Sequence, residues 1–128
     1  MKKFTFGFLA TMLVMMTTTL WAQTVVGTLS RAGLQPYAVT VYETGNKIFV
    51  ADNATGNLYF YDGATNVELG FVFVGTDVFY MVVDEASGKL YAASRGAQKI
   101  AVVNAATGAF ITYLAETYSI VRSVCDQF

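Results

Sequence analysis

A repeat constrains this chain more than any other feature. Displaced on itself by 42 positions, the sequence aligns residues 37–72 with residues 79–114 without a gap. Val41, Glu43, Lys47, Ala51, Ala64 and Thr65 fall on Val83, Glu85, Lys89, Ala93, Ala106 and Thr107, all identical. Around them the residue class is kept: Tyr37 on Phe79, Ile48 on Leu90, Phe49 on Tyr91, Leu58 on Ile100, Phe60 on Val102, Asp62 on Asn104, Leu69 on Ile111 and Phe71 on Tyr113. Identity at a few positions would mean little alone. Identity combined with a shared hydrophobic phase and shared turn positions marks a structural unit that recurs.

Each unit reads as four strands. Residues 37–42 are rich in β-formers and end at Glu43-Thr44-Gly45-Asn46, a turn-forming cluster. Residues 47–51, 58–61 and 67–74 follow as the second, third and fourth strands, separated by polar clusters at 52–57 and 62–66 and stopped by Gly75. The second unit repeats the plan, with turns at 85–88, 95–98 and 104–108. Short strands joined by short turns make an antiparallel meander, because parallel neighbours need a long crossover connection.

The runs Ile48-Phe49-Val50-Ala51, Leu58-Tyr59-Phe60-Tyr61 and Phe71-Val72-Phe73-Val74 are apolar without alternation, which predicts burial on both faces. Their shortness, their aromatic and β-branched content and their Gly/Asn punctuation exclude helix. A small meander covered on both faces and recurring every 42 residues is what a blade of a β-propeller requires, since each blade is sandwiched between its neighbours. The expected fold class is therefore all-β, built of propeller-type four-stranded antiparallel units. Asn46-Lys47-Ile48-Phe49-Val50-Ala51-Asp52, followed by Leu58-Tyr59-Phe60-Tyr61-Asp62-Gly63-Ala64-Thr65-Asn66, resembles the YVTN-type β-propeller repeat. That repeat is named for a Tyr-Val-Thr-Asn second strand and carries an Asp-x-x-Thr-x turn before the fourth. Here Phe49-Val50-Ala51-Asp52 and Tyr91-Ala92-Ala93-Ser94 stand in place of the namesake. The resemblance covers residues 37–115 and implies the fold. Its matching residues are turn and core positions, so it implies no activity.

Ahead of the repeat, Lys2 and Lys3 precede an apolar run at 4–16, and residues 17–22 lead to a small residue, Ala22, before Gln23. A positive start, a short apolar core and a small-residue exit are the parts of a secretory signal. A signal peptide at 1–22 is expected, with a mature protein at 23–128 outside the cytoplasm: periplasmic, cell-surface or secreted. Thr17, Thr18 and Thr19 interrupt the apolar run, and no positive stop follows, which argues against a retained membrane anchor. Without Lys2 and Lys3 the acidic residues outnumber the basic ones, so no electrostatic footprint for nucleic acid or an anionic membrane remains. Cys125 is the single cysteine and forms no intrachain disulfide. The absence of histidine removes the commonest general base and transition-metal ligand.

The blade count does not close. The chain holds two whole units, about 37–75 and 79–115. Before them, Val25-Val26-Gly27-Thr28 resembles Phe73-Val74-Gly75-Thr76, the end of a fourth strand. After them, 121–128 starts a further unit, with Val124-Cys125-Asp126 falling on Val82-Val83-Asp84. Closed propellers have about four to eight blades, so the expected ring is incomplete and presents open apolar faces. The chain is a piece of a longer protein, or copies assemble into one ring, or it folds as a small open sandwich.

Candidate chemistry is sparse. Asp52-Asn53-Ala54-Thr55-Gly56-Asn57 is rich in oxygen donors but lacks Ca²⁺-loop spacing and has one carboxylate; it reads as an Asx-type turn. Asp62-Gly63-Ala64-Thr65 and Asn104-Ala105-Ala106-Thr107 recur at one phase and read as hairpin turns. Glu43 and Glu85, one repeat apart, are not expected to form a catalytic carboxylate pair. Asp52, Asn53, Asp77 and Arg95 lie in loops expected at one rim, where function sits on a rigid scaffold; they are the candidate ligand rim. The aromatic residues are expected to form core between blades rather than a sugar platform. No catalytic, metal or cofactor residue is assigned. The expected function is a non-catalytic binding or scaffolding module for a protein or carbohydrate ligand. The alternative is part of a lactonase- or quinoprotein-dehydrogenase-like propeller enzyme whose catalytic residues lie in other blades.

Overall fold

The computed structural model describes residues 25–114; the expected signal segment and the expected start of a further unit at 121–128 lie outside them. Eight strands run in order: β1 Pro36–Tyr42, β2 Lys47–Asp52, β3 Asn57–Asp62, β4 Glu68–Phe73, β5 Val78–Asp84, β6 Lys89–Ser94, β7 Lys99–Asn104 and β8 Phe110–Leu114. They form two four-stranded antiparallel meanders, β1-β2-β3-β4 and β5-β6-β7-β8. Every strand of the first sheet begins 42 residues before its counterpart. Even the irregularities recur. The register slips at Pro36/Ala38 and at Val78/Tyr80, then again at Phe60/Tyr61 and at Val102/Val103.

The turns explain why the repeat survives so much side-chain change. A left-handed residue stands at each equivalent position: Asn46 and Gly88, Gly56 and Gln98, Asn66 and Gly108. Glycine and asparagine suit that conformation, whereas most side chains resist it. In the last turn of each blade an Asx side chain collects two backbone N–H groups. Asp62 Oδ1 accepts from Ala64 and Thr65 at 3.0 and 2.8 Å. Asn104 Oδ1 accepts from Ala106 and Thr107 at 2.9 and 3.0 Å. These are structural hairpins, as the recurrence predicted.

Each blade has a forward and a rear face, set by strand alternation. The forward face of the first blade presents Phe49, Ala51, Leu58 and Phe60, with Ala38 and Val72 beside them. The rear face of the second blade presents Met81, Leu90, Ala92, Ala101 and Val103, with Val83 and Tyr113 beside them. Together they make the main core, with the Phe49 and Phe60 ring centroids 5.9 Å apart. The two rings share this cluster with the aliphatic residues and Met81 of the opposing face. β1 also lies directly against β5.

Burial on both faces holds for the central strands but not for the outer ones. β2 and β3 are buried almost throughout, whereas Val39, Val41, Leu69, Phe71 and Phe73 on β1 and β4 are exposed. Among the described residues, the rear face of the first blade is covered only in the middle. There Leu29 and Leu34, from the segment leading into β1, pack with Ile48 on Val50, Tyr59 and Tyr61. The forward face of the second blade leaves Tyr80, Val82 and Leu114 exposed.

Candidate functional site

The rim where β2 turns into β3 is built by a clamp that occurs once per blade. In the first blade the Asn53 amide donates to the Gln35 carbonyl at 2.9 Å; in the second, the Arg95 amide donates to the Asp77 carbonyl at 3.0 Å. One buried polar side chain sits behind each clamp. Asp52 Oδ1 accepts from the Gln35 and Ala54 amides at 2.9 and 3.1 Å, and its Oδ2 accepts from the Thr55 hydroxyl at 2.6 Å. Ser94, the equivalent residue, donates to the Thr76 carbonyl and accepts from the Ala97 amide at 3.0 Å. Burial alone would raise the Asp52 carboxyl. Hydrogen bonds from Thr55, Gln35 and Ala54 outweigh it and hold the group below the ordinary carboxylate range.

The four rim residues therefore divide into two kinds. Asp52 faces inward and is almost wholly enclosed. Asn53 lies half-buried beside it, its Oδ1 enclosed without a hydrogen-bond partner among the described residues. Asp77 and Arg95 face outward and pair with each other: Arg95 Nε–Asp77 Oδ2 is 2.9 Å and Nη2–Oδ1 is 3.3 Å. The Arg95 guanidinium also stands 5.6 Å above the Phe79 ring. Asp77 takes a left-handed φ of 55° to reach this position. Side-chain contact thus joins Asp77 to Arg95, whereas the Asp52 oxygens are taken by Gln35, Ala54 and Thr55.

On the opposite rim the two repeated glutamates have different surroundings. The Glu85 carboxylate reaches across to the first blade and accepts from the Glu43 and Thr44 amides at 2.7 and 3.2 Å. Desolvation opposes its charge, but the bonds from Thr44 and Glu43 prevail and lower its titration. Glu85 is thus a latch between blades.

Sequence reasoning missed one polar group, on the rear face of the first blade. Arg31 donates through one nitrogen to both Glu68 oxygens, at 2.7 and 2.6 Å, and lies 4.4 Å above the Tyr59 ring. The Tyr61 hydroxyl is enclosed nearby without a partner among the described residues, and burial first, then Glu68, pushes its titration up. The available signal was a break in the repeat: Tyr59, Tyr61 and Glu68 correspond to Ala101, Val103 and Phe110. Among the described residues no cluster of His, Cys, Asp and Glu could hold a metal ion.

No protein-family model matches the sequence, and no curated protein matches it. Solved structures do. The chain superposes on the RRP9 WD40 repeats with a TM-score of 0.60 at 15% identity, covering 69% of this chain and 28% of that one. Against hydrazine synthase of Kuenenia stuttgartiensis the TM-score is 0.58 at 21% identity, with 71% and 26% covered. Against a putative 6-phosphogluconolactonase from Bacteroides fragilis it is 0.54 at 16% identity, with 73% and 28% covered. The fold is that of β-propeller blades. Identities this low speak for the fold alone, and the chain spans little more than a quarter of the length of the structures it matches.

Proposed function

We propose that this protein is an exported, non-catalytic propeller module of the YVTN-repeat kind, which binds a protein partner through the rim carrying Asp77 and Arg95. One observation carries this reading: the fold does not need that ion pair. The first blade makes the same backbone clamp with Gln35 and Asn53, which bear no charge. An exposed pair of this sort adds at most about 1 kcal/mol of stability. Its carboxylate and guanidinium are 38% and 53% exposed, on loops braced by the sheet, beside an aromatic ring. Arginine with an adjacent aromatic is a frequent anchor of protein interfaces. The YVTN likeness, the Lys2-Lys3 leader and the small negative charge of the mature chain support an exported protein that does not bind nucleic acid.

The test has two parts. Mass spectrometry of the secreted fraction should find a mature N-terminus near Gln23. Arg95→Ala and Asp77→Ala should each keep the thermal transition within a few degrees, while abolishing binding to the peptide selected by the parent protein from a displayed peptide library. Loss of folding in both variants would make the pair structural and overturn the rim assignment. Selection of glycans but no peptide on matched arrays would overturn the protein partner and favour a carbohydrate.

A further inference from the structure

The rear face of the first blade is covered by its own chain in a way that the repeat does not require. Residues 29–34 cross it as a strap, whereas the corresponding residues 71–76 end β4 and lead into β5. Among the described residues the strap's one backbone–backbone hydrogen bond is internal, from the Leu34 amide to the Arg31 carbonyl at 3.2 Å. Side chains hold it to the sheet: Leu29 and Leu34 pack on Val50, Tyr59 and Tyr61, while Arg31 lies over the Tyr59 ring and pairs with Glu68. That pair stays 40% and 31% exposed, and exposed pairs contribute little stability. Tyr61 stands directly opposite Glu68 across β3 and β4 and is only 3% exposed, yet its hydroxyl has no partner among the described residues. An enclosed hydroxyl without a partner is costly. The strap is therefore a weakly held cover that leaves one polar group beneath it unmet.

We propose that this face is a docking site for an arginine-bearing segment of a partner protein, and that the strap occupies it as an internal stand-in. The strap shows what the face accepts. Leu29-Ser30-Arg31-Ala32-Gly33-Leu34 places an aliphatic side chain two residues before its arginine and another three residues after, and the partner segment has the same spacing. Charge sets the sign of the partner: the sheet supplies the Glu68 carboxylate beside the Tyr59 ring. A planar cation that both stacks and pairs is arginine rather than lysine. Its guanidinium carries five N–H donors, enough to serve Glu68 and the Tyr61 hydroxyl together. The partner binds only when the strap lifts, so the seated strap lowers its apparent affinity. None of these groups belongs to the Asp77–Arg95 rim, so this proposal and the rim reading stand or fall separately.

The probe is a labelled synthetic peptide with the sequence of residues 27–36, beside a control in which neutral citrulline replaces the arginine. Arg31→Ala combined with Leu34→Ser frees the strap and leaves the face intact, and circular dichroism should confirm retained sheet. By fluorescence anisotropy the full chain carrying both changes should bind the peptide about tenfold or more tighter than the parent. The citrulline peptide should bind it about tenfold or more weaker, as should the arginine peptide once Glu68→Gln is added. In the parent protein, saturating peptide should raise amide exchange at 29–34 while β2 and β3 keep their protection. That measurement needs no variant and decides the matter even where the double change prevents folding. Unchanged exchange at 29–34 would overturn the proposal, as would equal binding of the citrulline peptide. Equal affinity for the parent and the freed-strap chain would separate the strap from the site, and undiminished binding with Glu68→Gln would remove the carboxylate from it.

Discussion

The two blades share a backbone and differ in what they ask of their faces. The first buries rings forward, at Phe49 and Phe60, and carries Tyr59, Tyr61 and Glu68 to the rear. The second carries Ala92, Ala101 and Val103 to the rear, against those rings, and Tyr91 and Ile100 forward. Turn chemistry and hydrophobic phase suffice to specify the meander. Side-chain size is then set by what each face meets. The face that receives a blade carries aliphatic side chains and Met81 at its buried centre, whereas the one that meets a strap and solvent keeps large aromatics and an ion pair.

The sharpest way to break this comparison is to truncate equivalent positions. Phe49→Ala should cost about 3–5 kcal/mol, because the ring is wholly enclosed at the centre of the core. Tyr91→Ala, 42 residues on, should cost well under half of that, since Tyr91 is only half-buried and its face meets no further blade among the described residues. Chemical denaturation of both variants measures the difference; equal losses would mean that the second forward face is as covered as the first.

A glycine pair comes next. Gly75 has a φ of 112°, and a methyl group there would lie 2.6 Å from Ser94 Oγ and 2.8 Å from Ala97 Cβ. Its repeat equivalent, Gly33, has a φ of 77° but nothing within 4 Å. Gly75→Ala should therefore cost about 3 kcal/mol, combining strain with displaced neighbours, and Gly33→Ala about 1 kcal/mol from the backbone alone. Thermal melts of the two variants should separate accordingly, and a reversed order would contradict the close packing of Gly75 between the blades.

The clamps give a third contrast, with a pH dependence. Asp52→Ala should cost about 1.5–3 kcal/mol near neutrality and Ser94→Ala about 1 kcal/mol, since bonds to a charged acceptor are the stronger. The folded Asp52 carboxyl titrates below its unfolded value. Its contribution is therefore complete above the unfolded carboxylate pKa of about 4 and disappears as pH falls through the lower folded value. Asp62 and Asp84, held low by hydrogen bonds from Thr65 and from Ser87, act in the same direction. The parent protein should lose stability on acidification below about pH 4, and Asp52→Asn should flatten part of that slope. An unchanged slope would remove Asp52 from the account.

The smallest effect belongs to the strap. Glu68→Gln weakens an exposed pair and should shift global stability by less than about 1 kcal/mol. Amide exchange at 29–34 should nevertheless rise in that variant while β6 and β7 keep their protection. Uniformly raised exchange would mean that the strap is part of the core.

Much of the fold was written in the residues themselves. The 42-residue phase, the four strands of each unit and the Asx and Gly turn positions are local properties, because a left-handed turn or an apolar run acts over a few residues. Even the approach to β1 carried a sign: Gly33 and Gly75 are identical, one repeat apart and both left-handed, just upstream of the aligned span. The candidate rim was legible as a set of loops, but its members were not separable. Asp52 and Asp77 look alike in sequence, yet one is enclosed by amides that converge from Gln35 and Ala54 while the other projects into solvent. Likewise, strands apolar on both sides do not reveal which side meets a blade, a strap or solvent. Those outcomes depend on groups brought together from distant parts of the chain: Arg31 with Glu68, Glu85 with Thr44, Gly75 with Ser94. Local sequence determined the repeating meander, and only the packing of one meander on the next decided which faces, charges and turns were left available.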